Sequence, residues 1–296
     1  MGDLLVLWDV DGTLLNAGGV GGDLYELVFS SMFGRRCEKL APMAGRTDRA
    51  IILDTLEMAG VPEPRRHVDR FIEGLRTHAP AMFEVAQRQG RVLPGAPGAI
   101  NAVASARVAA STIGFAVPGT ALPSPALAPA SAFIAAATTP FGVTADGSAP
   151  ASAPAVSVLS LRSRHRPESG RVYQSVLTGN VRTLAEVKLR AVGLSHPLDL
   201  CIGAYGDDHE IRAELVHLAR RRASGVHDRP AADFSGEATI VVGDTPLDIE
   251  AALAAGARAV GVATGGYSAH ALRAAGAHAV LTDLTNTTAV LSALLS

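Results

Sequence analysis

Lysine is nearly absent from this 296-residue chain: Lys39 and Lys188 stand among 26 basic residues, and all the others are arginine. Any chemistry that needs a lysine has two places to find one. Cysteine is as scarce. Cys37 and Cys201 have no CxxC spacing and no histidine partner pattern. That excludes a zinc site or disulfide framework built on them and leaves two free thiols in a reducing compartment as the expectation. His67, His78, His196, His209 and His217 show no metal-ligand spacing either. An excess of charge of one sign is missing too. A net charge of −2 offers no general basic field for nucleic acid. No window holds ~18 clean apolar residues, so no membrane span is expected. The first apolar run follows Asp3 and is broken by Asp9 and Asp11, with no basic residues ahead of it. It does not read as a secretory leader. A soluble, cytoplasmic protein is the expectation.

One long region lacks charge almost entirely. From Val108 to Leu161 the only charged residue is Asp146, and Ala, Pro, Ser, Thr and Gly dominate. Prolines at 118, 123, 125, 129, 140, 150 and 154 exclude a long helix. Residues 106–169 are therefore expected to form a poorly ordered insert.

What is present is ample apolar material. Hydrophobic residues make up 48% of the chain, enough for one large domain or two modest ones. Leu4 to Trp8 reads as a buried strand. Asn16 to Gly22, NAGGVGG, lacks the GxGxxG order and reads as a hinge or linker. From Asp23 to about Gln89 the pattern is helical, with Thr47 or Asp48 capping a helix that runs to Ala59 and stops at Gly60. Ala96 to Ala104 is a further helix. After Gly170 strands and helices alternate. Strands are expected at Val172–Leu177, Leu198–Ile202, Ala238–Val242, Ala259–Val262 and Ala279–Leu281. Helices are expected at Val181–Val192, His209–Arg222, Pro246–Ala255, Ala269–Ala275 and Thr287–Leu294. Such alternation implies an α/β fold, a doubly wound parallel sheet covered on both faces. Ligands of such sheets bind beyond the carboxyl ends of the strands.

That rule gathers the acids. Asp9 and Asp11 follow the first strand, Thr178-Gly179-Asn180 follows the strand ending at Leu177, and Asp244 and Asp248 follow Ala238–Val242. Clustered carboxylates repel one another, and a divalent cation removes the difficulty. Oxygen-only ligands favour Mg2+, which typically takes one or two carboxylates, waters and substrate phosphate. A carboxylate can attack phosphorus, and a second can protonate the leaving oxygen and later deprotonate water. Amide groups around Gly12, Thr178 and Gly179 would steady the transferring phosphoryl group, with Thr13 and Asn180 beside them.

The segments WDVDGTL, LTGN and VVGDTPLDIEAALAAG, in that order and each at a strand end, resemble motifs one, two and four of the haloacid dehalogenase-like phosphohydrolase superfamily. The resemblance covers most of the chain outside the Ala/Pro-rich stretch. It implies a Rossmann-like core from 1–15 and 91–296. It also implies a helical cap over 16–90, similar to that of the phosphoglycolate phosphatase and β-phosphoglucomutase branch. Carried over position by position, Asp9 would be the nucleophile and Asp11 the general acid and base. Asp9, the Asp11 carbonyl and Asp244 would hold Mg2+, with Asp248 supporting the metal, and Thr178 would bind the phosphoryl group. The Lys-Pro pair that relatives often carry as motif three is missing. Lys188, roughly 10 Å along its helix, and Arg212, nearer the usual place, are the two candidates for it. In the cap, Arg46 of Gly45-Arg46-Thr47-Asp48 suits an anionic substrate. The reading implied is a Mg2+-dependent phosphatase for a small phosphorylated metabolite. A phosphomutase of the same fold and a non-catalytic binding module are the alternatives. Asp11 counts against dehalogenase and phosphonate-cleaving chemistry, and Lys39 is a weak candidate for imine formation.

The connection through the charge-poor stretch enters at the start of a strand, opposite the end where the acids gather. Deletion of 108–168 is therefore expected to leave turnover within tenfold of the full chain. A larger loss in a folded deletion variant, measured by steady-state assay, would contradict this.

Overall fold

The structure is a computed structural model, and it describes residues 2–108 and 170–296. The sheet starts from β1, Leu4–Trp8. Four of its five residues, Leu5 to Trp8, are fully buried. Such a strand must be central, with helices on both faces. It pairs in parallel with β5 (Gly170–Val176) on one side and β6 (Thr239–Gly243) on the other. Beyond β6 lie β7 (Arg258–Val262) and β8 (Ala279–Leu281), also parallel. The order is β4-β5-β1-β6-β7-β8, with β4 (Arg107–Val108) antiparallel at one edge. The register aligns Trp8 with Val176 and with Val242. Three strands thus end level, and the loops that leave them meet at one edge of the sheet.

The two faces of β1 obey the strand period of two. Leu5 and Leu7 pack with Leu215, Val216, Ile249 and Leu272, from α7 (Arg212–Val226), α8 (Pro246–Ala254) and α9 (Ala269–Ala274). Val6 and Trp8 pack with Ile100, Leu184, Leu189 and Val290, from α5 (Ala96–Ser105), α6 (Arg182–Ala191) and α10 (Thr287–Leu295). Each of these fully buried side chains contributes about 1.5–3 kcal/mol of apolar transfer. The indole N–H of buried Trp8 donates to Gln174 Oε1 at 3.2 Å, so it is not left unpaired.

Between β2 (Leu15–Asn16) and β3 (Arg91–Val92), which pair antiparallel, the chain is helical. It contains α1 (Val20–Phe33), α2 (Asp48–Met58), α3 (Val68–His78) and α4 (Phe83–Gln89), with short 3-10 turns before α3 and α4. We call this segment the cap. Thr47 caps α2, its hydroxyl accepting from Ala50 N, and Gly60 follows at φ +66°.

Four expectations need correction. The Gly-rich stretch at 16–22 is not a free hinge: Asn16 is in β2, and α1 starts at Val20 rather than Asp23. Val20 is fully buried, and its packing holds a first turn that contains Gly21 and Gly22. Leu198–Ile202 is not a strand. Asp199 folds over its own chain there, its carboxylate accepting from Cys201 N and its carbonyl from Ile202 N. That local turn replaces the ladder and leaves a single parallel bridge, Leu177 to Ala204. The helix expected from His209 starts at Arg212, because the His209 ring accepts from Ile211 N in a turn ahead of it. At the edges of the expected insert, 107–108 form β4 and Gly170 opens β5; residues 109–169 lie outside the described part. Among the described residues no helix is long and apolar enough to cross a membrane, and Cys37 and Cys201 are free thiols.

The cap docks on the core through α2. Thr47 Oγ1 donates to Glu210 O at 2.7 Å, Asp48 N to Gly179 O at 2.7 Å, and Arg49 N to Gly206 O at 3.2 Å. The Arg76 guanidinium grips Asp207 at 2.7 Å. The Asp48 carboxylate is buried in this contact. Burial pushes it from 3.8 up to about 6, against hydrogen bonds from Tyr25 and Val181 N and the nearby charge of Lys188, which favour ionisation. The folded state therefore holds this proton more tightly than the unfolded chain does. Asp48's contribution to stability is full at low pH and falls as pH rises from 3.8 toward about 6, by on the order of 3 kcal/mol. Urea unfolding of wild type and Asp48→Asn across this range is expected to show the wild type losing ground to the variant as pH rises. A constant difference between the two would contradict the assignment.

Candidate active site

Asp9 follows β1, and its backbone N–H bonds Val242 O at 2.8 Å, which ties it to the neighbouring strand end. Its carboxylate is almost fully buried. Arg212 Nη2 donates to Asp9 Oδ1 at 2.7 Å and lies 2.6 Å from Asp248 Oδ1, one nitrogen between two acids. It also donates to Leu177 O at 3.2 Å. Burial opposes the charge of Arg212, but Asp248 and Asp9 outweigh it and hold the guanidinium above its ordinary value. Asp9 is pushed in the other direction. Burial first, then the charges of Asp248, Asp244 and Asp11, raise it well above the usual carboxylate range despite Arg212.

The turn after β1 is built around Gly12, at φ +85°. A Cβ there would collide with the Asp244 carboxylate, and so would one at Gly265 in the loop after β7. Only glycine lets both loops close on Asp244. Thr13 Oγ1 donates to Asp244 Oδ1 at 3.1 Å, and Thr264 Oγ1 donates to Gly12 O at 2.6 Å. Asp248 sits in the first turn of α8 and forms a capping box with Thr245, whose N–H and hydroxyl both donate to Oδ2, at 3.0 and 2.8 Å.

Asp11 faces a different set of partners. Lys188 Nζ and Asn180 Nδ2 each donate to Asp11 Oδ2 at 2.7 Å. Lys188 also donates to Asn180 Oδ1 at 2.7 Å, and Asn180 Nδ2 donates to Thr178 Oγ1 at 2.7 Å. The distance along α6 does not keep Lys188 away. Helical side chains lean toward the N-terminus, and the N-terminus of α6 points at this edge of the sheet.

These residues line a cleft of about 580 Å³ between core and cap. It brings together Asp9, Asp11, Gly12, Thr178, Gly179, Asn180, Lys188, Arg212 and Asp244. Lys188 and Arg212, the two rivals for one role, are both present with separate tasks. Three expected residues stand differently. Thr13 is fully buried, and its hydroxyl is turned onto Asp244. Asp248 lies behind the cleft wall, held by Arg212 and Thr245. Arg46 reaches the cleft, but its guanidinium is taken up by Asp54 at 2.6 Å and by the carbonyls of Pro42 and Ala50. Sequence reasoning missed Thr264 and Gly265. The strand-end rule could have found them, since ATGG follows a strand. It also missed Tyr25 and Asp48, which fold over the cleft from the cap and show no signal beyond a helix start.

One group of three metal-competent residues is found among the described residues: Asp9, Asp244 and Asp248, with ligand oxygens within 4.8 Å of one another. The donors are all carboxylate oxygens, which suits a hard divalent cation. Burial, then the charge of Asp248, pushes Asp244 up to about 7. The same cluster raises Asp9. Such mutual repulsion is what a divalent cation relieves, so the residues present fit one.

A family model described as "HAD-hyrolase-like" matches residues 213–287. No curated protein matches the chain. Among solved structures, a hydrolase from Pseudomonas syringae shares the fold at TM-score 0.54 and 15% identity, over 99% of this chain and 100% of its own. A protein described as a "predicted phosphatase" from Clostridium acetobutylicum does so at 0.54 and 14%, over 99% and 100%. A haloacid dehalogenase-like family protein from Streptococcus pneumoniae does so at 0.52 and 11%, over 97% of each chain. The family match runs from α7 to the start of α10, about a quarter of the chain, and the solved structures, at 11–15% identity, show a shared fold over nearly whole chain lengths.

Proposed function

We propose that this chain is a Mg2+-dependent phosphatase that hydrolyses a small phosphorylated metabolite through a phospho-aspartyl intermediate at Asp9. One observation carries the reading. Two carboxylates two residues apart are held by different cations for different work, Asp9 by Arg212 and Asp11 by Lys188. Arg212 keeps Asp9 aligned through Oδ1 and leaves Oδ2 to attack phosphorus. As the Asp9 carboxylate oxygen bonds phosphorus to form an acyl phosphate, the bond from phosphorus to the substrate oxygen breaks, and Asp11 gives that oxygen a proton. Asp11 then takes a proton from water, whose oxygen attacks the phospho-aspartate and frees Asp9 and inorganic phosphate. Thr178 accepts from Asn180, so its own hydroxyl proton is available for a phosphoryl oxygen. Mg2+, held by Asp9, Asp244 and the Asp11 carbonyl with Asp248 supporting the site from behind, would neutralise charge on the phosphoryl oxygens. The cleft volume suits a compact substrate.

Phosphate release from a panel of phosphorylated metabolites is expected to require Mg2+ and to vanish in Asp9→Asn. Asp11→Asn is expected to retain binding and lose about 10²- to 10⁴-fold in turnover. Turnover that survives Asp9→Asn would overturn the nucleophile assignment. Gly265→Ala adds one methyl group against Asp244 and removes no polar atom. It is expected to raise the Mg2+ concentration for half-maximal activity by about 10- to 100-fold. An unchanged Mg2+ titration would contradict the metal role of Asp244.

A further inference from the structure

The cap reaches the catalytic groups through a backbone contact rather than through a charged side chain aimed at substrate. Its segment Arg46–Arg49, the entrance to α2, lies against the turn that carries Thr178 and Asn180. A Cβ on Gly179 would collide with Arg46 O, and a Cβ on Gly206 would collide with Gly179 O. The turn is thus clamped between two loops that only glycines let approach. Gly206 N donates to Asn180 O at 2.8 Å on one side, and Asp48 N donates to Gly179 O at 2.7 Å on the other.

The Asp48 side chain completes the clamp. Its Oδ2 accepts from Val181 N at 2.6 Å, and its Oδ1 accepts from Tyr25 Oη at 2.7 Å. Val181 is the N-cap residue of α6 and has no side-chain acceptor of its own. A carboxylate from the cap therefore satisfies the entrance to a core helix. That helix carries Lys188, and the turn just before it carries Asn180. Both of these residues hold Asp11. Burial raises the Asp48 carboxylate to about 6, so ionising it near neutral pH costs the folded state some of the stability it has at low pH.

We propose that Asp48 is a positioning residue for the acid–base step: it fixes the Gly179–Val181 turn and the start of α6 from the cap, and through Asn180 and Lys188 it sets where Asp11 stands. The catalytic half of this inference rests on the phosphatase reading; the mechanical half does not.

The test compares wild type, Asp48→Asn, Tyr25→Phe and Arg65→Gln as full-length chains. Arg65 pairs with Glu210 across the same cap–core boundary at 3.3 Å but is exposed, and its bond goes to Glu210 rather than to the turn. The first readout is kcat/KM on the best alkyl phosphate from the panel and on acetyl phosphate, whose leaving group needs little protonation. Asp48→Asn is expected to lose at least tenfold more on the alkyl ester than on acetyl phosphate. Tyr25→Phe should change in the same direction with a smaller loss, and it carries the test if Asp48→Asn does not fold. Arg65→Gln should keep the wild-type ratio. The second readout is amide exchange without substrate, expected to rise across 179–183 in Asp48→Asn and Tyr25→Phe and not in Arg65→Gln. An equal loss on both substrates would overturn the proposal, as would unchanged exchange across 179–183. If wild type turns over no phosphate ester, the phosphatase reading fails, and the exchange result alone decides whether Asp48 clamps the turn.

Discussion

One guanidinium nitrogen between two carboxylates is the contact on which the rest depends. Arg212 Nη2 reaches Asp9 at 2.7 Å and Asp248 at 2.6 Å, in a place where burial leaves little solvent to screen either acid. Without that cation three buried carboxylates would face one another across the ends of β1 and β6. Removing one partner of such a buried cluster typically costs about 3–5 kcal/mol. Much of the local architecture serves to keep it together. The level register of β1, β5 and β6 brings the loops side by side. Gly12 in the loop after β1 and Gly265 in the loop after β7 let both close on Asp244, and the capping box fixes Asp248 at the head of α8.

The site then separates into two sets of hydrogen-bonded and ion-paired partners. Asp9, Asp244 and Asp248 form an acid cluster with one guanidinium, short of positive charge and fit for a divalent cation. Asp11 lies apart with Lys188, Asn180 and Thr178, in a hydrogen-bonded chain that has a proton donor at each link. The separation matters to the proposed mechanism, which asks opposite behaviour of the two aspartates. In it one attacks phosphorus as a carboxylate, while the other gains and loses a proton within a turnover. Asp9 and Asp11, two residues apart, receive different environments because the chain has left the strand and turns between them and Gly12, so that one faces Arg212 and the other Lys188.

The core was legible because its signals are local or periodic. Leu4–Trp8 is a continuous apolar run that stops at acids, and the later strands and helices alternate with glycine stops at Gly193 and Gly256. The strand-end rule then assembled Asp9, Thr178 and Asp244 without any contact being known. Distance along a helix misjudged Lys188, since it ignores the lean of a long side chain toward the helix N-terminus. Composition misjudged 16–22, because the burial of Val20 outweighs the flexibility of its glycine neighbours. The strand expected at Leu198–Ile202 failed because Asp199 offers its own backbone a nearer partner than the sheet does. Sequence marks Asp48 only as part of a helix start and gives no sign of its contact with the core. Its meaning lies in Gly179 and Val181, the latter 133 positions away, and nothing local marks that contact.

The central claim is a covalent bond between Asp9 and phosphorus. The direct measurement is rapid acid quench of wild type turning over its best substrate, with mass spectrometry of the peptide containing Leu4–Leu15. The account predicts a phosphoryl group on Asp9, removed by hydroxylamine, absent in Asp9→Asn and accumulating in Asp11→Asn if the attack of water is the slower step. A wild type caught in steady turnover with no phosphoryl group on Asp9, or with one on another residue, would contradict it.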